Sequence, residues 1–236
     1  MSTRFPVILP AYNEASAIER AILETAASFD ALAAPYEIIV VDDGSTDGTA
    51  ALAEAMRARF PTVRVARHAT NAGKGAAVRT GAQAAEGEVV LFLDCDLSTH
   101  PDTFRSFIPL LTTHDLVIGS RRVKGAVIPE PQPLWRSLLG RAFNAFIRIY
   151  LRLPYHDTQC GFKAVKRSAL PILKTITSDG WAFDVELLAR AREAGLTVVE
   201  CPITWNNRRE SRVRLGSAWS ILNELRQIKH AVKSDR

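Results

Sequence analysis

Short apolar runs separated by stretches of helical periodicity constrain this chain more than any other feature. Phe5 to Leu9, Tyr36 to Val41, Val63 to Arg67, Val89 to Leu93 and Leu116 to Gly119 read as strands. Between the first two, Ile18, Ile22, Thr25, Ala26 and Phe29 recur at helical spacing, with Asn13 placed to cap that helix and Pro35 following its end. Strands joined by crossovers of this length pair in parallel with right-handed connections, and such sheets gather ligands at the carboxyl ends of their strands. The expectation is an α/β class: a Rossmann-like, mostly parallel central sheet flanked by helices. A length of 236 residues with 47% hydrophobic content suits one large domain better than two small ones.

The second half is less regular. Leu134 to Leu153 reads as a long amphipathic helix whose aromatic and aliphatic residues are interrupted by Arg136, Arg141, Arg148 and Arg152; the stiff Pro129-Glu130-Pro131-Gln132-Pro133 segment precedes it. Gly161 to Lys166 reads as a strand, Phe183 to Glu193 as a helix ended by Gly195, Thr197 to Cys201 as a final strand, and Ala218 to Val232 as a last helix. No internal repeat or low-complexity tract divides the chain.

A net charge of +5 and a pI near 9.3 favour an anionic partner without naming it. Cys95, Cys160 and Cys201 are far apart and form no Cys-x-x-Cys pair, so neither a zinc site nor a disulfide framework is signalled, and a reducing cytoplasm fits. Met1-Ser2-Thr3-Arg4 leads directly into a strand without the apolar core of a secretory signal, and no apolar run approaches the roughly 20 residues of a membrane span. The expected location is cytoplasmic, with any membrane contact peripheral.

Acids cluster where strands end. Asp94-Cys95-Asp96 terminates the Val89 run, Pro10-Ala11-Tyr12-Asn13-Glu14 the first run, and Asp42-Asp43-Gly44-Ser45-Thr46-Asp47 the second. A single Asp-x-Asp is usually a solvated turn or a helix cap. Three acidic strand ends on one sheet edge offer hard oxygen ligands where a divalent cation and a charged ligand meet. Tyr12 has the ring to stack on a base, and Glu14 and Asp43 the oxygens to accept from a nucleobase or ribose. Capping and turn roles are the alternative for Glu14 and Asp47. Lys74 lies between two glycines opening a helix, which lets backbone approach a diphosphate and adds a point charge, although the spacing is not that of a Walker A loop. Arg121 follows a strand and a Gly-Ser turn at the same edge, where phosphate contact competes with ordinary solvation. For Asp184 and Glu186 the alternative is a solvent-facing side of a helix packed through Phe183, Leu187 and Ala191.

In their order, seven blocks resemble the signatures of family 2 glycosyltransferases: Pro10–Glu14, Val40–Thr49, Asn71–Gly75, Asp94–Asp96, Gly119–Arg121, Asp157–Lys163 and Trp181–Leu188. The likeness is to the dolichyl-phosphate β-glucosyltransferase branch and its prokaryotic polyprenyl-phosphate relatives, and runs from about Phe5 to the last helix. It implies a GT-A fold, a nucleoside-diphosphate sugar donor and inversion at the anomeric carbon. Within it, residues 1–120 correspond to a nucleotide-sugar-binding half and 121–236 to an acceptor-binding half. Pro10, Ala11, Tyr12, Glu14, Val41 and Asp43 would form the nucleotide pocket, joined by Lys74 and the Asp94-Cys95-Asp96 segment, with Cys95 in a packing role. Asp94 and Asp96 would hold Mg²⁺ or Mn²⁺. Asp157, and after it Asp184, would stand at the reacting centre, and Arg121, Arg136 and Arg212 would bind the acceptor phosphate.

The expected reaction transfers glucose from UDP-glucose to a polyprenyl phosphate; GDP-mannose as donor or a soluble hydroxyl acceptor are the enzymatic alternatives. A phosphate monoester, with its second pKa near ~6, is mostly dianionic at neutral pH and hardly requires a base, whereas a hydroxyl does. Residues 134–153 are expected to contact an anionic lipid surface, with a core-packed helix or a dimer interface as alternatives. A basic nucleic-acid-binding module is disfavoured because no stacking motif or groove-reading element accompanies the charge, and a nicotinamide-dependent oxidoreductase because no Gly-x-Gly-x-x-Gly follows the first strand.

Overall fold

The computed structural model describes residues 4–207 and 218–234. The first half alternates β1 (Phe5–Ala11), α1 (Ile18–Asp30), β2 (Tyr36–Asp42), α2 (Thr49–Met56), β3 (Val63–Arg67), α3 (Lys74–Ala84) and β4 (Val89–Phe92). A short α4 (Phe104–Phe107) leads to β5 (Leu116–Ser120), followed by α5 (Leu134–Leu151), β6 (Lys163–Lys166), α6 (Phe183–Glu193), β7 (Val198–Pro202) and α7 (Ala218–Ser234).

The seven strands form one sheet in the order β3-β2-β1-β4-β6-β5-β7. β1 pairs in parallel with both β2 and β4, β2 with β3, and β5 with β7. β6 runs antiparallel between β4 and β5, so the sheet is mixed. This strand begins at Lys163 rather than Gly161, because Gly161 is packed against the Asp94 carboxylate and lies outside the ladder.

Alternate residues of each strand serve opposite faces. Val7, Leu9, Ile38 and Val40 meet α1 and the Phe104–Phe107 turn, whereas Ile8, Ile39, Val41, Val90 and Phe92 meet the side carrying α3 and α6. Phe29 and Phe104 stack at 5.3 Å in the first core, and Phe92 meets Phe183 edge-on at 6.0 Å in the second.

Asn13 does not cap α1. The N-cap is Ala17, and Asn13, at φ 54, instead turns its Oδ1 to accept from Thr46 N at 2.9 Å. The capping expectation fails because β1 continues to Ala11 and the chain needs an extra turn before the helix starts.

Candidate active site

β1 and β4 lie side by side, with Ile8 opposite Phe92, and the connection from β1 leaves toward β2 on the other flank. At such a reversal the loops after the two strands diverge and leave a crevice at their carboxyl ends. Here it widens into a cleft of about 2390 Å³ lined by residues from both halves, including Tyr12, Lys74, Asp94, Asp96, Arg121 and Asp184.

The loops after β1 and β2 are stitched together. Asn13 N donates to Ser45 Oγ (2.9 Å), Glu14 N to Thr49 Oγ1 (2.8 Å) and Ala15 N to Asp47 Oδ2 (3.1 Å). Asp47 also takes Thr49 N at 3.1 Å, which makes it the turn acid that starts α2. Tyr12 stays exposed on this platform and lines the cleft with Pro10, Ala11 and Glu14. Asp43, buried beneath it, accepts from Ala72 N (2.9 Å), Gly73 N (2.7 Å) and Asn71 Nδ2 (3.0 Å) and faces His68 Nδ1 at 2.7 Å. Those contacts occupy the usual four lone-pair directions of a carboxylate, so Asp43 shapes the 68–73 loop in this structure. Val41 is fully buried in the core and contributes no side chain to the cleft lining.

Below the platform, four charges alternate in sign from rim to core. Lys74 Nζ lies 2.8 Å from Asp94 Oδ1 and 3.2 Å from Asp184 Oδ2, and Lys163 Nζ lies 2.5 Å from Asp184 Oδ1. Burial works against the charges of Lys74 and Asp184, yet the two lysines hold the Asp184 carboxyl below its ordinary range, and the two acids raise Lys74. Asp184 and Glu186 are buried rather than facing solvent, because residues 183–191 of α6 are buried on every side. Glu186 accepts from Thr177 N (3.0 Å), Ser178 N (2.8 Å) and Arg190 Nε (2.7 Å). The loop so held presents Asp179 O to Gly75 N at 2.6 Å, and a Cβ on Gly73 would collide with the same carbonyl. The glycines around Lys74 are therefore required by this close approach.

Asp94 is half-exposed, and a Cβ at Gly161 would strike its Oδ2, so the two residues fit only as a pair. Asp96 accepts from Ser98 N and Ser98 Oγ, both at 2.8 Å. Cys95, between them, points inward to donate to Pro10 O at 3.3 Å, and burial pushes its thiol pKa well up, as a packing role requires. Asp94 and Asp96 are the hard oxygen donors at this rim, and both line the cleft. Among the described residues no group of three or more His, Cys, Asp or Glu is arranged around a cation, so an ion bound here would complete its shell with ligand oxygens and water.

Asp157 is buried and bound twice to Arg121: Nε to Oδ2 at 2.7 Å and Nη2 to Oδ1 at 2.8 Å, with Arg121 N adding a third bond at 3.0 Å. Burial alone would raise its carboxyl; the arginine overcomes that and holds the pKa at about 2. Its loop is clamped by Glu200 of β7, which accepts from Asp157 N at 2.9 Å, and by Asn144 of α5, which bonds His156 O at 2.7 Å and Thr158 Oγ1 at 2.9 Å. The Arg121 guanidinium also lies 5.4 Å from the Trp205 ring centroid. Arg136 lines the cleft on α5, and Arg212 lies outside the described residues. The amino-terminal half of α5 is not core-packed, with Leu134 and Leu138 84% and 64% exposed; the carboxyl-terminal half buries Asn144, Ile147 and Leu151 but leaves Ile149 exposed.

Sequence reasoning missed Lys163, Arg122 and Glu224. A lone lysine in a four-residue strand carries no sign that it will be buried against Asp184. Glu224 of α7 lines the cleft beside Trp181, with its carboxyl raised by burial. The only available signal was the second arginine of Ser120-Arg121-Arg122.

The family model described as glycosyl transferase family 2 matches residues 7–172. The glycosyltransferase AglD of Haloferax volcanii is 33% identical over 89% of this chain, which spans 34% of that protein. Dolichyl-phosphate beta-glucosyltransferases of Trichomonas vaginalis and Drosophila melanogaster are 35% and 32% identical, over 94% and 96% of this chain and 69% and 74% of theirs. In structure, glucosyl-3-phosphoglycerate synthase from Mycobacterium tuberculosis, solved with Mn²⁺, UDP and glucosyl-3-phosphoglycerate, superposes with a TM-score of 0.66 at 22% identity, covering 98% of this chain and 79% of that one. Staphylococcus aureus TarS, solved with UDP-GlcNAc, gives 0.64 at 21% identity over 97% and 66%. With acids gathered at the β1–β4 crevice, a GT-A sheet and a match over most of its length, this chain belongs to glycosyl transferase family 2.

Proposed function

We propose that the protein transfers glucose from UDP-glucose to a polyprenyl phosphate, with inversion and with a divalent cation, Mg²⁺ or Mn²⁺, at Asp94 and Asp96. The relatives named dolichyl-phosphate beta-glucosyltransferase, matched over nearly the whole of this chain, support the donor sugar and the acceptor class. The observation that carries the choice of acceptor is the state of the acids Asp157 and Asp184. Arg121 chelates one and two lysines hold the other, so both are ionised counter-ions rather than open proton acceptors. A hydroxyl acceptor needs a base; a phosphomonoester, dianionic near neutral pH, does not.

In the proposed reaction an acceptor phosphate oxygen attacks the anomeric carbon while the bond to the UDP oxygen breaks on the opposite face. Tyr12 and Glu14 receive the nucleoside, and Lys74 stands at the rim where the diphosphate lies. A cation held by Asp94 and Asp96 would offset the charge developing on the leaving diphosphate. Asp157 fixes Arg121, and Asp184 fixes Lys74 at Asp94.

Among the described residues no helix is long and apolar enough to cross a membrane. The exposed apolar residues of α5, with Arg136 and Arg141 among them, would instead rest on the cytoplasmic face of the membrane that holds the acceptor. A second reading, a soluble hydroxyl acceptor, is favoured by Glu224, a raised carboxyl in the cleft. Incubation with UDP-glucose and Mn²⁺, with or without farnesyl phosphate, decides. UDP release that depends on farnesyl phosphate, persists in Glu224→Gln and disappears in Asp96→Asn is expected. Activity with GDP-mannose alone, or full turnover in Asp96→Asn, overturns the donor or the metal assignment.

A further inference from the structure

A second cavity lies away from the cleft and shares no lining residue with it. It is a groove of about 280 Å³ between the second half of α3 and the 3-10 segment Arg167–Thr175 that follows β6, and Arg79, Arg167, Leu170, Pro171, Leu173 and Lys174 are in its lining. Its size is just under the range of about 300–1,000 Å³ that small-molecule sites occupy. The lining holds three cations and no carboxylate. Arg167 is fixed by backbone carbonyls, with Nε donating to Gly87 O at 2.7 Å and Nη2 to Ala85 O at 2.8 Å, so its charge is held in place without being neutralised. Among the described residues neither Arg167 nor Lys174 forms an ion pair. Leu173 is buried and Leu170 half-buried, while Arg167 and Lys174 are exposed, which puts an apolar floor under a charged rim. Arg79, the third cation, also donates through Nη1 to Ser178 O at 3.2 Å and pairs through Nη2 with Asp179 Oδ1. Those two residues are the ones packed on the glycines around Lys74: Gly75 N donates to Asp179 O, and a Cβ on Gly75 would strike Ser178 O. One side chain therefore connects the groove to the loop that seats Lys74 in the cleft.

We infer that this groove is a second ligand site, taking a small phosphate monoester with an apolar body, and that it communicates with the diphosphate end of the cleft through Arg79. A dianion supplies the counter-charge that Arg167 and Lys174 lack, and a guanidinium already fixed by two carbonyls meets phosphate oxygens with little further ordering. The apolar body covers Leu170 and Leu173. An anion beside Arg79 competes with Asp179 for it, which loosens the 178–179 carbonyls from Gly75. The ester and UDP therefore oppose each other, by the same factor in both directions. The groove goes beyond the proposed reaction, and only the choice of UDP as reporter rests on that reading.

Calorimetry with phenyl phosphate, inorganic phosphate and benzyl alcohol on the unmodified protein, Lys174→Glu and Arg167→Gln tests it. Phenyl phosphate is expected to bind more tightly than either fragment and about tenfold more weakly to each variant, while UDP with Mn²⁺ binds all three proteins alike. Losses confined to vesicles containing phosphatidic acid assign the same chemistry to a lipid headgroup. Equal affinity of the three proteins for both ester and vesicle, or binding of neither, overturns the site. Should Arg167→Gln fail to fold by circular dichroism, Lys174→Glu, at an exposed residue, decides by the same comparison. With phenyl phosphate saturating, the affinity for UDP should fall about fivefold in the unmodified protein and hold in Asp179→Asn. UDP affinity indifferent to phenyl phosphate overturns the link through Arg79. Complete exclusion of phenyl phosphate by UDP, with no effect of Lys174→Glu, places the ester in the cleft and overturns the groove. If UDP itself does not bind, the proposed reaction fails, and the groove is still judged by phenyl phosphate and its variants.

Discussion

Asp157 is a carboxylate whose sequence neighbourhood suits a reacting acid and whose tertiary neighbourhood makes it a counter-ion. Its folded pKa of about 2 lies below the unfolded value of 3.8, so its pairing stabilises the fold above the unfolded value and is lost as pH falls through the folded one. The share is about 2 kcal/mol. Urea denaturation from pH 6 to pH 2 should show this loss concentrated below pH ~4, and Asp157→Asn should be less stable at pH 6 by about 2–4 kcal/mol with a shallower acid slope. An unchanged slope would mean that the pair contributes nothing. Gly161 acts through steric exclusion. Gly161→Ala would push Asp94 from the rim while leaving the sheet intact, and a displacement of this kind costs up to about 10²-fold in turnover. A metal activation constant that stays put in that variant would disprove the link. Lys163 was invisible in sequence because the partner that makes its burial tolerable, Asp184, is supplied by another element.

At the scale of elements, β1, β2 and β4 were legible almost to their ends because they are largely buried and read as continuous apolar runs. The direction of β6 was not: four residues carry no polarity signal, and only the return path through α5 sets β6 antiparallel between β4 and β5. In α6 periodicity misled, since a helix covered on every side has no solvent face to reveal, and Asp184 and Glu186 went inside with their partners. α5 presents the opposite case, with more apolar surface than its neighbours cover. Co-sedimentation with vesicles rich in anionic lipid should capture the unmodified protein at low salt and release it as salt rises, each nearby arginine contributing roughly 1 kcal/mol. The double variant Trp135→Ser, Leu138→Ser should bind markedly less; equal capture of both proteins would leave that face without a membrane role.

Across the whole molecule, the cleft joins loops from both halves of the chain, so ligand binding and folding are linked. With UDP at a hundred times its dissociation constant, linkage predicts about 2.7 kcal/mol of stabilisation and a melting point higher by roughly 5–10 °C. That shift should require Mn²⁺ or Mg²⁺, and a metal chelator should remove it; an equal shift without metal would separate UDP binding from Asp94 and Asp96. The order of apolar runs, the acids at their ends and the glycines around Lys74 were enough to determine an α/β sheet with a charged rim, because buried parallel strands and tight turns impose composition locally. Which of those charges remain open to a ligand was decided by tertiary structure alone. A carboxylate is a base, a metal ligand or a counter-ion according to what lies within hydrogen-bonding distance, and at Asp43, Asp157 and Asp184 those neighbours come from segments 21 to 110 residues away.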